Sequence, residues 1–565
     1  MSNSKLIANM KNIKSYILLA AALGATLSSC SDDFLNVASK TETTTDNFYK
    51  TETDAYRALI GCYDGLRQTN ANPSYGFYMI AETMGAECFG GTGNTDGRGY
   101  QATDRFDQGQ SSSDLNLYVN EWSNYYAAIF RCNELINHSE QISWDSEESK
   151  ATCIGEARTL RAICYFDLVR LFGNIPLLKK STTENVPQAD PDSVYSLIFD
   201  DLKYAAQNIP ANAYPKANAS ENDGRVTRYA ADAFLARAYL FYSGYYGKEP
   251  AGCTKQEALD ACEEIIASNE YELVSEFKNL WPAASAGIAE IGDATTLLGS
   301  YAGDGNSETV FSIKFTNTQD YNGNNDSNRW QVMVGMRSIS FAPYGKGWGA
   351  ATVNPEIVKA FGTGDTRKTA SVIDIVGEGI SKLSTFEKNL KDWREYTGYA
   401  IKKYAPLCFA DGTTANHIDG SGGFQEQNHQ DYVLVRYADV LLMAAELGSA
   451  NAQTYFNKVR QRAYTSDGAL SGYYREVAAT KENIMAERRL EFAFEGINYY
   501  DLLRQGVEYA ASQIAVTDYH VLSGGKDDYI TIDPANIIAC EGLCQIPNNQ
   551  ITLSNGVLKQ NNGWK

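Results

Sequence analysis

Two stretches of this 565-residue chain pair aromatic rings with short hydrogen-bonding side chains. One, within 75–107, carries Tyr75, Phe77, Tyr78, Phe89, Asn94, Asp96, Arg98, Tyr100 and Asp104. The other, within 281–348, carries Trp281, Tyr321, Asn324, Asn325, Trp330, Tyr344 and Trp348. Flat rings beside Asn, Asp and Arg suit sugar capture. A pyranose is apolar on one face and ringed by hydroxyls, so a binder stacks an aromatic on the ring and meets the hydroxyls with fixed donors and acceptors. Trp330, Trp348, Asn94, Asp96 and Arg98 lead this expectation, with Tyr344, Tyr321, Trp281 and Tyr100 beside them. The competing reading for each ring is core packing.

A second set of reactive types is Glu487, Arg488, Arg489, Glu491, Glu495, Asp501 and Arg504, interleaved with Leu490, Phe492 and Phe494. Read as one helix over 481–505, successive turns bring opposite charges together, as at Arg488/Glu491 and Asp501/Arg504, while Glu487 and Glu491 are repulsive. A structural ion network between helices is the expected use, because buried charges persist only when paired. Nothing else resembles a catalytic centre. His138, His417, His429 and His520 are scattered and form no H-E-x-x-H, and no G-x-S-x-G, Walker A or G-x-G-x-x-G pattern occurs. A surface glycoside hydrolase stays open as the enzyme alternative, since two catalytic acids can lie far apart in a chain. Asp320, Asn322, Asn324 and Asp326 are spaced like a calcium loop. They lack the glycine at the sixth position and the closing Glu, so Ca2+ there would be weak or absent and no cofactor is expected.

The N-terminus carries an export signal. Lys5, Lys11 and Lys14 precede an apolar run over 16–27, about twelve residues and too short to span a bilayer, and LSSC follows at 27–30. Residues 1–29 read as a lipoprotein signal peptide, Cys30 as the lipidated first residue, and 30–45 as a lipidated tether. Acyl chains on Cys30 would hold the protein to a membrane, and Asp32 and Asp33 resemble the export signal of lipoproteins displayed on the outer cell surface. The formal charge of −20 becomes −23 once three lysines leave with 1–29, which opposes nucleic-acid binding. Eleven cysteines are too few for a disulfide scaffold, although Cys540 and Cys544 form one local candidate pair. Cys132, Cys153, Cys164 and Cys262 fall in helical patterns and read as small buried groups.

The elements that must position these residues are mostly helices. Periodicity predicts helices from a Thr51/Asp54 cap onward, over 114–142, over 147–172 stopped by Gly173, from Val194 to Ala205, over 227–243, and after a Thr254/Glu257 cap. Further helices are expected at 431–447, 452–464 and 481–505. Loop-rich ligand regions are expected at about 70–113 and 270–350, with short strands at 309–315 and 330–334, a Gly-rich stretch at 409–430 and an irregular tail. Small inner-face residues in antiparallel helix pairs resemble tetratricopeptide units. The expected fold is therefore all-α, a tetratricopeptide-like scaffold of helix pairs with long loop-rich insertions and minor β. No linker splits 46–565, so it is expected to form a single domain.

Six blocks in order resemble the SusD-like (RagB/SusD) family of outer-membrane lipoproteins. They are LSSC followed by SDDFL, EARTLRAICYFDLVRLFGNIPLL (156–178), GRVTRYAADAFLARAYLF (224–241), DYVLVRYADVLLMAAEL (431–447), ERRLEFAFEGINYYDLLRQG (487–506) and IPNNQITLSNGVLKQNNGW (546–564). The resemblance implies a non-enzymatic, cell-surface oligosaccharide-binding lipoprotein. It would act as the lid of a SusC-like TonB-dependent transporter in polysaccharide utilisation, with the loops building a shallow ligand site. Some relatives take peptides or glycoprotein glycans, so a peptide- or glycoprotein-glycan-binding import lipoprotein remains an alternative.

Overall fold

A computed structural model describes residues 48–564 except 72–75, 110, 112–113, 219–223, 317–326, 416–422 and 426–427. The signal peptide, Cys30, the tether, Tyr321 and the calcium-like Asp320–Asp326 segment lie outside the described residues.

The helices used below are, in chain order, Glu52–Ala71 (α1), Phe77–Met84 (α2), Gly99–Asp104 (α3), Val119–Asn137 (α4), Glu147–Phe172 (α5), Pro191–Asn208 (α6), Arg228–Tyr245 (α7), Lys255–Ser268 (α8), Arg329–Val334 (α9), Tyr437–Leu447 (α10), Ala452–Ala463 (α11), Lys481–Glu491 (α12) and Asn498–Leu503 (α13). Helix α1 packs on α4, α5 on α6, α7 on α8 and α10 on α11, and neighbouring pairs stack in series. This is the tetratricopeptide-like frame. Side-chain caps start its helices. Ser146 and Ser149 form a capping box on α5, with the Ser149 amide 3.0 Å from Ser146 Oγ, and Thr254 and Glu257 form one on α8. Gly173, at φ +66°, ends α5 in a conformation that costs other residues strain. Small residues set the pair spacing: a Cβ added to Gly65 would lie 2.8 Å from the Cα of Ala128 on α4.

Short strands stitch the insertions to this frame. Cys88–Gly90 (β1) pairs antiparallel with Ala351–Val353 (β3), Thr309–Ile313 (β2) with Tyr432–Arg436 (β4), and Val516–Ser523 (β5) with Lys526–Ile532 (β6) in a hairpin.

Several expectations change. Residues 330–334 are helix, not strand, because Asn328 caps α9 by accepting the Trp330 amide at 3.0 Å, and periodicity cannot type so short an apolar run. Residues 432–436 are strand, since Tyr-Val-Leu-Val-Arg finds a partner in β2 before α10 begins at Tyr437. The region 70–113 is not simply loop: it holds α2, β1 and α3, all buried. The tail is ordered by the β5–β6 hairpin and by helices at Pro534–Ala539 and Asn548–Leu553. The 481–505 helix breaks between α12 and α13, where Phe494 (φ +64°) and Gly496 (φ +72°) turn the chain. Two buried carboxylates hold that corner: Glu87 accepts the Phe494 amide at 3.4 Å, and Glu82 accepts the Gly496 amide.

The charges on α12 and the corner do form a structural network. Glu491 lies 2.5 Å from Arg462, 3.0 Å from Arg436 and 3.3 Å from Arg367. Glu308 at the edge of β2 takes Arg436 at 2.5 Å and Arg462 at 2.8 Å. Glu495 takes Lys403 at 2.6 Å and Arg436 at 2.8 Å. Beside this core, Arg488 joins Asp439 on α10 at 2.5 Å to Asp501 on α13 at 2.7 Å. Glu308, Arg367, Lys403 and Glu491 are fully buried.

Removing one member of such a set leaves its partners charged and dry, so Glu491→Ala should cost about 3–5 kcal/mol in urea unfolding. The network also fixes an acid response. Burial by itself would raise the Glu491 carboxyl, but Arg462, Arg436, Arg367 and Lys403 hold it at about 2 against an ordinary 4.5. Because the folded value lies below the unfolded one, the contribution of Glu491 is complete above pH 4.5 and is lost as pH falls towards 2. The urea midpoint should decline across that window, and more gently in Glu491→Gln; equal slopes would disprove the assignment.

Candidate functional site

The loop between β1 and α3 is tied to the second expected region through backbone. The Gly91 amide donates to Ala350 O at 2.8 Å, and Thr92 donates to Gly349 O at 2.5 Å. The Asn94 amide donates to Asp392 O at 2.9 Å, and the Arg394 amide donates to Thr92 O at 2.9 Å. Within the loop, the Asp96 carboxylate accepts the Gly93 amide at 3.0 Å and the Thr92 hydroxyl at 3.1 Å, a local turn that shapes residues 92–96. Arg337 stands behind it, 3.6 Å from Asp96 and 2.9 Å from Asp392.

Of the expected ligand residues, Asp96 and Arg98 are exposed and Asn94 is half-buried on this one loop. Trp348 is also half-buried and sits next to Gly349, to which the loop is bonded. Its amide donates to Val332 O at 2.7 Å, and the Arg329 guanidinium lies 4.8 Å above its ring. The loop offers amide and carboxylate acceptors and a guanidinium donor to solvent, and the half-buried Trp348, next to the bonded Gly349, offers part of an apolar face. That arrangement can stack a sugar ring and bond its hydroxyls.

The other expected platforms are corrected. Trp281 is 1% and Trp330 3% exposed, so neither can meet a ligand in this structure. They are the ends of an interior aromatic column: Trp330 lies 5.7 Å from Tyr78, Tyr78 packs on Tyr432, Tyr432 stacks on Tyr404 at 5.4 Å, and Tyr404 meets Trp281 at 5.4 Å. The Lys403 ammonium lies 5.0 Å over Trp281, so the column abuts the ion network. Tyr344 is buried in a second core cluster with its hydroxyl donating to Glu378 at 2.7 Å. Tyr100 is buried on α3, directly under the loop. Their environments differ from the expectation because a Gly/Asn-rich composition does not reveal which ring the second core cluster or the column will claim. Cys540 and Cys544 are both free and buried, and Cys544 Sγ faces Met84 Sδ at 3.9 Å, so the local disulfide is not formed.

Three contributors lie outside both expected stretches. Asp392, Trp393 and Arg394 occupy a turn, with Trp393 1% exposed, and form the floor of the loop. Next to them Glu395, at φ +55°, pairs with Arg105 at 2.5 Å. Its carboxyl is pushed up, first by burial and then by Asp104, and the Asp104 carboxyl is likewise pushed up by burial. The sequence signal for this turn is the run Asp392-Trp393-Arg394-Glu395, which has no helical or strand period.

The model described as "SusD family" matches residues 388–564, and the one described as "Starch-binding associating with outer membrane" matches 89–240. The chain belongs to the SusD-like (RagB/SusD) family. SusD-like protein P25 of Formosa agariphila is 23% identical over 507 residues, 84% of this chain and 87% of that protein. Among solved structures, surface glycan-binding protein A from Bacteroides thetaiotaomicron in complex with laminarihexaose superposes with a TM-score of 0.70 at 22% identity, over 91% of this chain and 100% of that one. Surface glycan-binding protein A from Bacteroides fluxus gives 0.69 at 24% identity, again over 91% and 100%. At these identities the SusD-like likeness establishes the fold. Among the described residues no helix is long and apolar enough to cross a membrane.

The corrected burial separates the tryptophans by experiment. Trp330→Ala should lose about 3–5 kcal/mol of unfolding free energy, as expected for emptying a large core site. Trp348→Ala should lose distinctly less because its ring is partly in water. Equal losses in paired urea titrations would contradict the column.

Proposed function

We propose that this protein is a non-catalytic, cell-surface glycan-binding lipoprotein that captures oligosaccharide on the loop 91–98 and Trp348. The observation that carries the proposal is the exposure of Asp96 and Arg98 and the partial exposure of Asn94 on a loop whose backbone is bonded to Gly349, the neighbour of the half-buried Trp348. Such a site is shallow and wet. Affinity for a single chain is therefore modest, since little area is buried and some interaction free energy is spent on ordering. The laminarihexaose bound by a structural neighbour makes short β-glucan chains a reasonable first probe.

Cys30 would be the lipid-bearing residue, holding the protein to the outer membrane, and a SusC-like TonB-dependent barrel would receive the captured oligosaccharide. The buried arginines and carboxylates of α12 and α13 serve the frame, and this leaves the chemistry of the ligand to the loops.

Isothermal titration with laminarihexaose and xylogluco-oligosaccharide tests the site. Trp348→Ala should weaken binding about tenfold, the equivalent of about 1.4 kcal/mol of lost stacking. Unchanged affinity would remove Trp348 from the site. Incubation of the pure protein with the same sugars should release no new reducing ends, and turnover would favour a glycoside hydrolase instead. Cys30→Ser should move the protein out of the membrane fraction, and mild detergent extraction of the wild type should bring a barrel protein with it.

A further inference from the structure

Arg394 differs from the buried arginines of the ion network. Arg367, Arg436, Arg462 and Arg488 each face carboxylates at 2.5–3.3 Å. Arg394 is 8% exposed, yet its guanidinium is bonded to neutral oxygens. Nη2 donates to Asn94 O and Asp96 O, both at 2.8 Å, and Nη1 donates to Gly97 O at 3.0 Å and Gln101 Oε1 at 2.8 Å. All four acceptors lie within eight residues of one another, in the loop that carries Asn94, Asp96 and Arg98 and in the helix that follows.

The carbonyls of 94, 96 and 97 belong to a turn that no sheet or helix satisfies, so without a donor they would turn towards water and the loop would open. The planar fork of a guanidinium can reach several oxygens in one plane, which a single ammonium cannot. Gln101 extends the ring of bonds, since its Nε2 donates to Gly91 O at 2.6 Å and also to Gly90 O. From the other side the hairpin tip closes on the same loop. The Gly524 amide donates to Trp393 O at 2.9 Å, the Glu395 amide donates to Ser523 Oγ at 3.1 Å, and a Cβ on Gly524 would lie 2.5 Å from Asn94 Nδ2.

We infer that Arg394 is a positioning residue for glycan capture, fixing the loop 94–98 in its binding shape before the sugar arrives. The inference rests on the glycan-binding reading above. Preordering the loop removes an ordering cost from binding, so the role of Arg394 is felt in affinity more than in global stability.

The test uses the full chain and laminarihexaose as probe, with Arg394→Gln, Arg394→Lys and Trp348→Ala. In Arg394→Gln, hydrogen exchange of the amides of 94–101 should rise while those of α5 stay protected. Laminarihexaose binding should weaken roughly tenfold with a less favourable binding entropy. Arg394→Lys should not restore either readout. Exchange at 94–101 unchanged in both Arg394 variants would overturn the inference, and so would full affinity in both. If Trp348→Ala binds normally, the site reading fails on its own account. If Trp348→Ala loses binding and the Arg394 variants keep it, only the inference falls. Should the wild type not take laminarihexaose, the exchange measurement alone decides, and unprotected α5 amides in both Arg394 variants count against a local role.

Discussion

Glu491 and Arg436 anchor this molecule. Both are buried, and between them they draw in Glu308, Arg367, Arg462, Lys403 and Glu495, residues contributed by segments nearly 190 positions apart. Charges removed from water persist only if each finds an opposite charge at bonding distance. The network therefore admits one relative placement of β2, β4, α11 and α12 and rejects displaced ones. Apolar packing alone would tolerate sliding of helix pairs past one another. The aromatic column from Trp330 to Trp281 leans on the same cluster through Lys403, so core packing and charge pairing fix the same arrangement.

That arrangement decides where the loops go. Strand β4 leads straight into α10, and β3 pairs with β1 through the register Cys88↔Val353. The loop after β1 is thereby delivered to the turn at 392–394, and the surface proposed for glycan capture is assembled from segments about 300 residues apart. Rigid backbone under mobile ligand is an economical design for a shallow site, because each side chain that must be ordered on binding subtracts from affinity. The neighbours in structure space share this frame at 22–24% identity, which is what packing and pairing constraints preserve when surface loops vary.

How far the sequence could be read varied with the physics behind each feature. Helix α5 was legible to the residue because its signals are local: an apolar period from 147 onward and Gly173 to stop it. The ion network was legible as a network, but not its membership. Arg367, Lys403 and Glu308 carry no spacing that announces them. The break at Phe494 depends on Glu82 and Glu87, more than 400 residues earlier in the chain. Among the expected ligand residues, the polar ones of 94–98 reached the surface together. Trp281 and Trp330 did not, since a tryptophan among Gly and Asn looks alike whether it stacks on a sugar or on Tyr78 and Tyr404.

The sequence by itself determined the helical frame and the family blocks, since each rests on contacts or recognition within a few turns of chain. Tertiary structure alone decided which rings became core, which carboxylates were neutralised, and that Arg394 would grip the loop at 94–97. Those outcomes depend on residues meeting across hundreds of positions, and periodicity, which sees only neighbours, cannot report them.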